Sequence, residues 1–166
     1  LLAASGDRAL RRWDLTGRRE LVQRDAAAGT RPGAAFAVVA PGGGVEVYAP
    51  WDTGGFAVHD LATGAHSRVM PWGEGYRHTI GAWDPDGRHY AVAVGDRLDV
   101  WDLRTATRVD GARLPGARVS EIDYSPDGAR LVVAEVSGRV TTLSTRTWQP
   151  VAPPIESAAV VAVEWP

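Results

Sequence analysis

"WDPDGRHYAVAVGDRLDVWDL", residues 83 to 103, carries one dipeptide twice: Trp83-Asp84 opens it and Trp101-Asp102 nearly closes it. Between the copies lie a Pro-Asp-Gly signal at 85–87, the apolar run "YAVAVG", a short "GDR" signal and a further apolar run. Proline presets φ at the first central position of a turn, and glycine accepts the positive φ that can follow. Short Val-rich runs bounded by such signals read as β-strands. The stretch therefore predicts strand, turn, strand, turn, strand. Its two Trp-Asp pairs end different strands. "YAVAVG" does not alternate between apolar and polar, which predicts a strand covered on both faces.

The same grammar recurs along the chain. "DPDG" at 84–87 is matched by "SPDG" at 125–128, and the series Pro41, Pro85, Pro126, Pro166 steps by 44, 41 and 40 residues. A second series, out of phase with the first, runs through Trp13, His59, Trp101 and Leu143, with steps of 46, 42 and 42. Each unit has an apolar run before the turn and a second one after it. A third carries the Trp slot, and a fourth, weaker run follows a Thr-Gly-like turn. "ELVQRDAAA" at 20–28 reads as a strand ending in a loop rather than a helix. Four antiparallel strands in a repeat of ~40–45 residues, buried on both faces, are the blade of a β-propeller.

With "LLAASGDRALRRWDL" at 1–15, Trp101-Asp102-Leu103 and the Ser125-to-Gly128 turn, the chain resembles the WD-repeat family along essentially its whole length. Trp13, Asp14, Trp101 and Asp102 carry the dipeptide. Asp86, Gly87, Asp127 and Gly128 carry the turn. The match departs from the family pattern in places. No Gly-His pair precedes the first strands, and His78 stands too close to the turn to supply one. His59 and Leu143 replace Trp, and Asp60 and Ser144 stand where Asp102 has its counterparts. The family's polar network is expected to be partial, with packing and backbone pairing in its place.

The expected fold is all-β: a propeller segment with a partial blade at 1–28, blades at 29–70, 71–114 and 115–157, and the first strand of another at 158–166. The chain begins in mid-pattern, so an arc of a larger ring, about seven-bladed in the family, is the leading expectation. Closure as four blades is the alternative.

Composition narrows the function. The chain has 166 residues and net charge −2, with 18 basic residues against 20 acidic ones. Every basic residue is Arg, and neither Lys nor Asn occurs, which suggests a GC-rich bacterial origin. The balanced charge gives no pull toward nucleic acid. The densest basic run, "RALRRWDLTGRRE" at 8–20, is interleaved with acids and reads as a solvated blade edge. No cysteine is present, which removes thiolate chemistry and Cys-based zinc sites. No apolar run is long enough for a membrane helix. The first residues lack the features of a secretory signal, so a cytoplasmic setting is expected.

No P-loop, dinucleotide glycine motif, HExxH pair or GxSxG elbow occurs. "PGGG" at 41–44 falls in the turn slot. His59, His66, His78 and His89 show no ligand spacing, so the sequence assigns no metal and no cofactor. Asp14, Asp60 and Asp102, with Asp86 and Asp127, recur once per unit at turn positions. A catalytic carboxylate pair is expected to be unique, so these read as turn-shaping groups.

Trp13, Trp83, Trp101, Trp165 and Tyr124 occupy strand slots and are expected in the core. Trp51, Trp72, Tyr76 and Arg77 occupy connections that blade topology brings to one rim. Trp, Tyr and Arg dominate protein-binding hot spots, so these four form the candidate partner-contact patch, with local loop packing as the competing explanation.

The expected function is a non-enzymatic scaffold for another protein or another domain of the same chain. The resemblance implies a setting in which such bacterial propellers form the sensing part of STAND-type signalling NTPases, regulators or kinases. The alternative is a propeller hydrolase or cofactor-dependent dehydrogenase with a central-channel site, where Glu121, Asp123 and Glu164, besides Tyr124, are the ionisable groups on first strands.

Overall fold

The computed structural model describes residues 2–4, 9–14, 19–25, 34–41, 45–50, 55–60, 63, 66–71, 80–114, 118–158, 163 and 165. The chain divides into two compact units, Leu1–Arg77 and His78–Pro166. Among the described residues the secondary structure is all-β, and no helix is long and apolar enough to cross a membrane.

In the first unit, β1 (Leu2–Ala4), β2 (Ala9–Asp14) and β3 (Arg19–Asp25) form a three-stranded sheet. The strands β4 (Ala34–Val39), β5 (Val45–Pro50), β6 (Gly55–Asp60) and β7 (His66–Pro71) form a four-stranded one. The segment "ELVQRD" lies on β3, a strand as expected.

The second unit holds two four-stranded antiparallel meanders. One consists of β8 (Ile80–Trp83), β9 (His89–Val94), β10 (Arg97–Asp102) and β11 (Thr107–Arg113). The other consists of β12 (Val119–Tyr124), β13 (Arg130–Glu135), β14 (Arg139–Ser144) and β15 (Ile155–Glu156). The three four-stranded sheets are each antiparallel meanders in chain order. They have the strand order of propeller blades.

Matching turns build matching sheets. Gly87 N–H donates to Asp84 O (2.9 Å), and Gly128 N–H donates to Ser125 O (2.8 Å). Both glycines have φ of 68°, where a Cβ is penalised. The turn after the third strand repeats as well: Ala106 and Trp148, 42 residues apart, take φ of 54° and 56°.

The fourth strands are the weak ones. β11 is largely exposed, and β15 spans two residues. Pro150, Pro153 and Pro154 crowd the approach to β15, and proline is tolerated in sheets chiefly on such edges.

β9 and β13 are covered on both faces: Tyr90, Ala91 and Val92 are at most 1% exposed, as are Leu131, Val133 and Ala134. Strand pairing puts Ala82, Ala91 and Val100 in one cross-strand row and Ile80, Ala93 and Leu98 in the next. On the following sheet, Tyr124, Leu131 and Leu143 form one row, and Ile122 and Val133 belong to another. These residues make one core cluster, so a face of mostly small side chains meets a face of large ones. Complementary volume at close-packed density holds the two sheets together.

The aromatic expectations divide. Trp83 and Tyr124 are buried, and Trp83 meets Tyr90 edge-on, with ring centroids 5.2 Å apart. Trp101 and Trp165 are half-buried. The side chain of Trp13 lies outside the described residues. Trp101 stays less enclosed because the β10–β11 register shifts between Val100 and Trp101, and such a bulge re-aims the side chain beside it. The β2–β3 register shifts at the same place, between Arg12 and Trp13.

Candidate functional site

β8 and β10 run in one direction and end at the same edge of their sheet, so the Asp84–Arg88 and Leu103–Ala106 turns are neighbours. Leu103 N–H donates to Arg88 O across them (3.1 Å). Asp102 reinforces the junction. Its side chain is 4% exposed, and Arg88 Nε donates to its Oδ2 at 2.9 Å. Its Oδ1 accepts the N–H groups of Arg104 (2.9 Å) and Thr105 (3.4 Å). The Arg88 guanidinium, helped by those two N–H groups against a burial penalty, holds the Asp102 carboxyl below the usual carboxylate range.

The next sheet reaches the same junction with other atoms. Thr145 N–H donates to Ala129 O (3.1 Å), and Thr145 Oγ1 donates to Gly128 O (2.7 Å). In its first turn Ser125 Oγ donates to Asp127 Oδ1 (2.6 Å), which also accepts Ala129 N–H (2.9 Å). The Ser125 hydroxyl and that N–H hold Asp127 low. Asp102, Asp86 and Asp127 are thus all engaged in shaping turns.

The Asp84–Arg88 turn holds more than its shape requires. Asp86 Oδ1 accepts Arg88 N–H (2.7 Å) and His89 N–H (3.1 Å), and Asp86 Oδ2 lies 2.7 Å from His89 Nδ1. Asp84 Oδ1 accepts Asp86 N–H (3.1 Å). One ligand-capable atom from each of Asp84, Asp86 and His89 lies within 4.8 Å of the others. Burial, opposed by the Asp86 N–H and reinforced by the Asp86 charge, lifts the Asp84 carboxyl above its ordinary value. Burial also disfavours charge on Asp86, but its two N–H donors and the His89 ring outweigh that and hold it low.

The adjoining sheet closes over this group. A Cβ at Gly128 would stand 3.2 Å from Asp84 Oδ1. Tyr124, at the end of β12, is 5% exposed, and its phenol is pushed up by burial and by the charges of Asp84, Asp86 and Asp110.

Local pattern in the sequence does not mark this group beyond the spacing Asp84-x-Asp86-x-x-His89 across a turn. Asp99, which no motif marks, is buried on β10 and ion-paired with Arg97 (3.0 Å) and Arg108 (2.7 Å).

Trp51, Trp72, Tyr76 and Arg77 lie outside the described residues, as does Glu164. Their flanking strands are described: β5 and β7 run in the same direction, so Pro50 and Pro71 end at one edge of their sheet. Glu121 and Asp123 are half-buried on β12, alternating with Ile122 and Tyr124 of the core cluster. No protein-family model matches the chain, and no curated protein matches it.

Proposed function

We propose that the chain is a non-enzymatic scaffold of WD-repeat type, whose rim holds another protein or another domain of the same polypeptide. One observation carries the reading: β5 and β7 end at the same edge of their sheet. The connections bearing Trp51 and bearing Trp72, Tyr76 and Arg77 therefore leave from one edge. The hydrogen-bonded sheet β4–β7 provides the frame for those connections, and rigid frames that present variable loops are how repeat architectures bind. The resemblance implies a setting for that contact: a sensing domain attached to a signalling NTPase, regulator or kinase, which recognises a trigger or holds the partner domain off.

The test is site-specific photo-crosslinking in the full-length protein. A photoreactive residue at position 72 is expected to capture one defined segment of a partner or of the same chain. Trp51→Ala with Tyr76→Ala is expected to abolish that capture. Crosslinks no different from those of a photoreactive residue at the exposed position 146 would overturn the reading.

A further inference from the structure

We propose that Asp110-Gly111, on the edge strand β11, is a site of covalent self-modification, at which the backbone is rewritten as isoaspartate. The Gly111 amide nitrogen attacks Cγ of the Asp110 carboxyl. A bond forms from nitrogen to Cγ and a carboxyl C–O bond breaks. The departing oxygen leaves as water, taking the amide proton and the carboxyl proton. The product is a five-membered succinimide, which water then opens. Breaking the nitrogen–Cγ bond restores aspartate. Breaking the bond from nitrogen to the main-chain carbonyl carbon routes the chain through the side chain as isoaspartate. The sequence of steps uses water alone, with no oxidant or cofactor.

The reacting groups are already assembled. Gly111 N–H donates to Asp110 Oδ1 at 2.8 Å, which holds the nitrogen against the carboxyl it must attack, and placement of this kind supplies much of the rate of a ring closure. The ladder does not tie that nitrogen down. Leu114 N–H donates to Asp96 O across the β10–β11 pair (2.6 Å), and hydrogen-bonded pairs alternate along an antiparallel ladder. The alternation makes Leu98–Ala112 and Val100–Asp110 bonded pairs and leaves Gly111, opposite Asp99, in a non-bonded one. Its N–H therefore faces the open edge of the sheet. Asp110 is exposed, so water reaches the ring.

The chain has two other Asp-Gly pairs, at 86–87 and 127–128, and both are locked. Gly87 N–H and Gly128 N–H are committed to turn carbonyls, at Asp84 O and Ser125 O. Asp86 Oδ1 accepts the N–H groups of Arg88 and His89 instead, and Asp127 Oδ1 that of Ala129. At 111 the fold itself demands glycine: φ is 155°, and a Cβ there would collide with Leu98 O. The residue that fits the strand thus leaves its nitrogen unshielded by a side chain. Isoaspartate adds a carbon to the main chain between the partners of Val100 and Asp99, so the outer strand loses its register.

The experiment ages the folded full-length protein for weeks at physiological temperature in water enriched in heavy oxygen, beside a sample in denaturant. Peptide mass spectrometry then reads isotope uptake, and electron-based fragmentation reads isoaspartate. In the folded protein the peptide holding Asp110 is expected to change about tenfold or more faster than those holding Asp86 and Asp127, because only there is the nitrogen placed for attack. In denaturant the three rates are expected to converge. Asp110→Glu is expected to end the change at that position, since its ring would have six members and closes far more slowly, and to leave the other two pairs as slow as before. A folded-state rate at Asp110 no higher than at Asp86 or Asp127 would overturn the proposal. So would an advantage that persists undiminished in denaturant, which would assign the effect to local sequence rather than to the strand edge.

Discussion

Replacing Leu131 by alanine tests how the second unit is held together. Leu131 is 0% exposed and stands between Tyr124 and Leu143 in its cross-strand row. The change removes three carbons, worth about 2.4 kcal/mol at ~0.8 kcal/mol for each buried methylene. The facing side chains include Ala82, Ala91 and Ala93, which are too short to fill the gap. Tyr124 and Leu143 are fixed by their own strand pairing, so most of the cavity persists. At ~24 cal/mol per Å³ of residual cavity, the total rises to about 4 kcal/mol, toward the upper end of the ~2–5 range for such changes. Urea unfolding followed by circular dichroism measures it, with Val109→Ala, at 50% exposure, as a control expected within about 0.5 kcal/mol of wild type. A double-mutant cycle with Leu98→Ala, in the same cluster on the other sheet, is expected to give a coupling of about 0.5–3 kcal/mol. A loss under about 1.5 kcal/mol, against the ~2 kcal/mol floor for this substitution, together with zero coupling, would refute face-to-face packing of the two sheets.

Three other outcomes follow from the turns. Asp102→Ala removes the Arg88 pair and the acceptor for two turn N–H groups; chemical denaturation is expected to show a loss of about 1–3 kcal/mol, the cost of stripping a buried hydrogen-bonding partner. Because Asp102, Asp86 and Asp127 are held low while Asp84 is raised, the signs differ with pH. The first three contribute stability above ~3.9, the unfolded Asp value, which is lost as pH falls through their folded values; Asp84→Asn is expected to raise stability near neutrality, where the ionised form is penalised, in melts run from pH 3 to 8. Gly87→Ala is expected to cost about 1 kcal/mol at φ of 68°, and Gly128→Ala to cost more in the same melts, because its Cβ also crowds Asp84 Oδ1.

Trp148 shows where local pattern stops informing. Its position is set by the turn after the third strand, the same slot as Ala106. Chain pattern alone gives no reason for a tryptophan at positive φ. In the fold it packs against the core cluster that contains Leu143, the residue standing in the Trp slot. Packing from a distant row outweighs a local backbone preference there. Trp101 shows the converse. Its strand slot predicted enclosure, and a register shift against β11 left it half-buried. Bulges depend on how the partner strand ends, which strand composition does not encode.

The sequence by itself determined the repeat, the strand boundaries and the turns. Proline, glycine and aspartate impose local dihedral limits, and Val-rich runs need cover wherever they lie. The segments "VSEIDY" and "WDPDGRHYAVAVGDRLDVWDL" therefore read correctly strand by strand. Tertiary structure alone decided which face met which. Period-two alternation sorts Ala91 from Tyr90 and Leu131 from Val132, but only volume matching puts the alanine-rich face of one sheet against the leucine-rich face of the next. It alone also brought Tyr124 and Gly128 of one sheet beside Asp84 of the other. That juxtaposition depends on β8 and β12 packing side by side, so that the turns that follow them, 41 residues apart in sequence, meet at one edge.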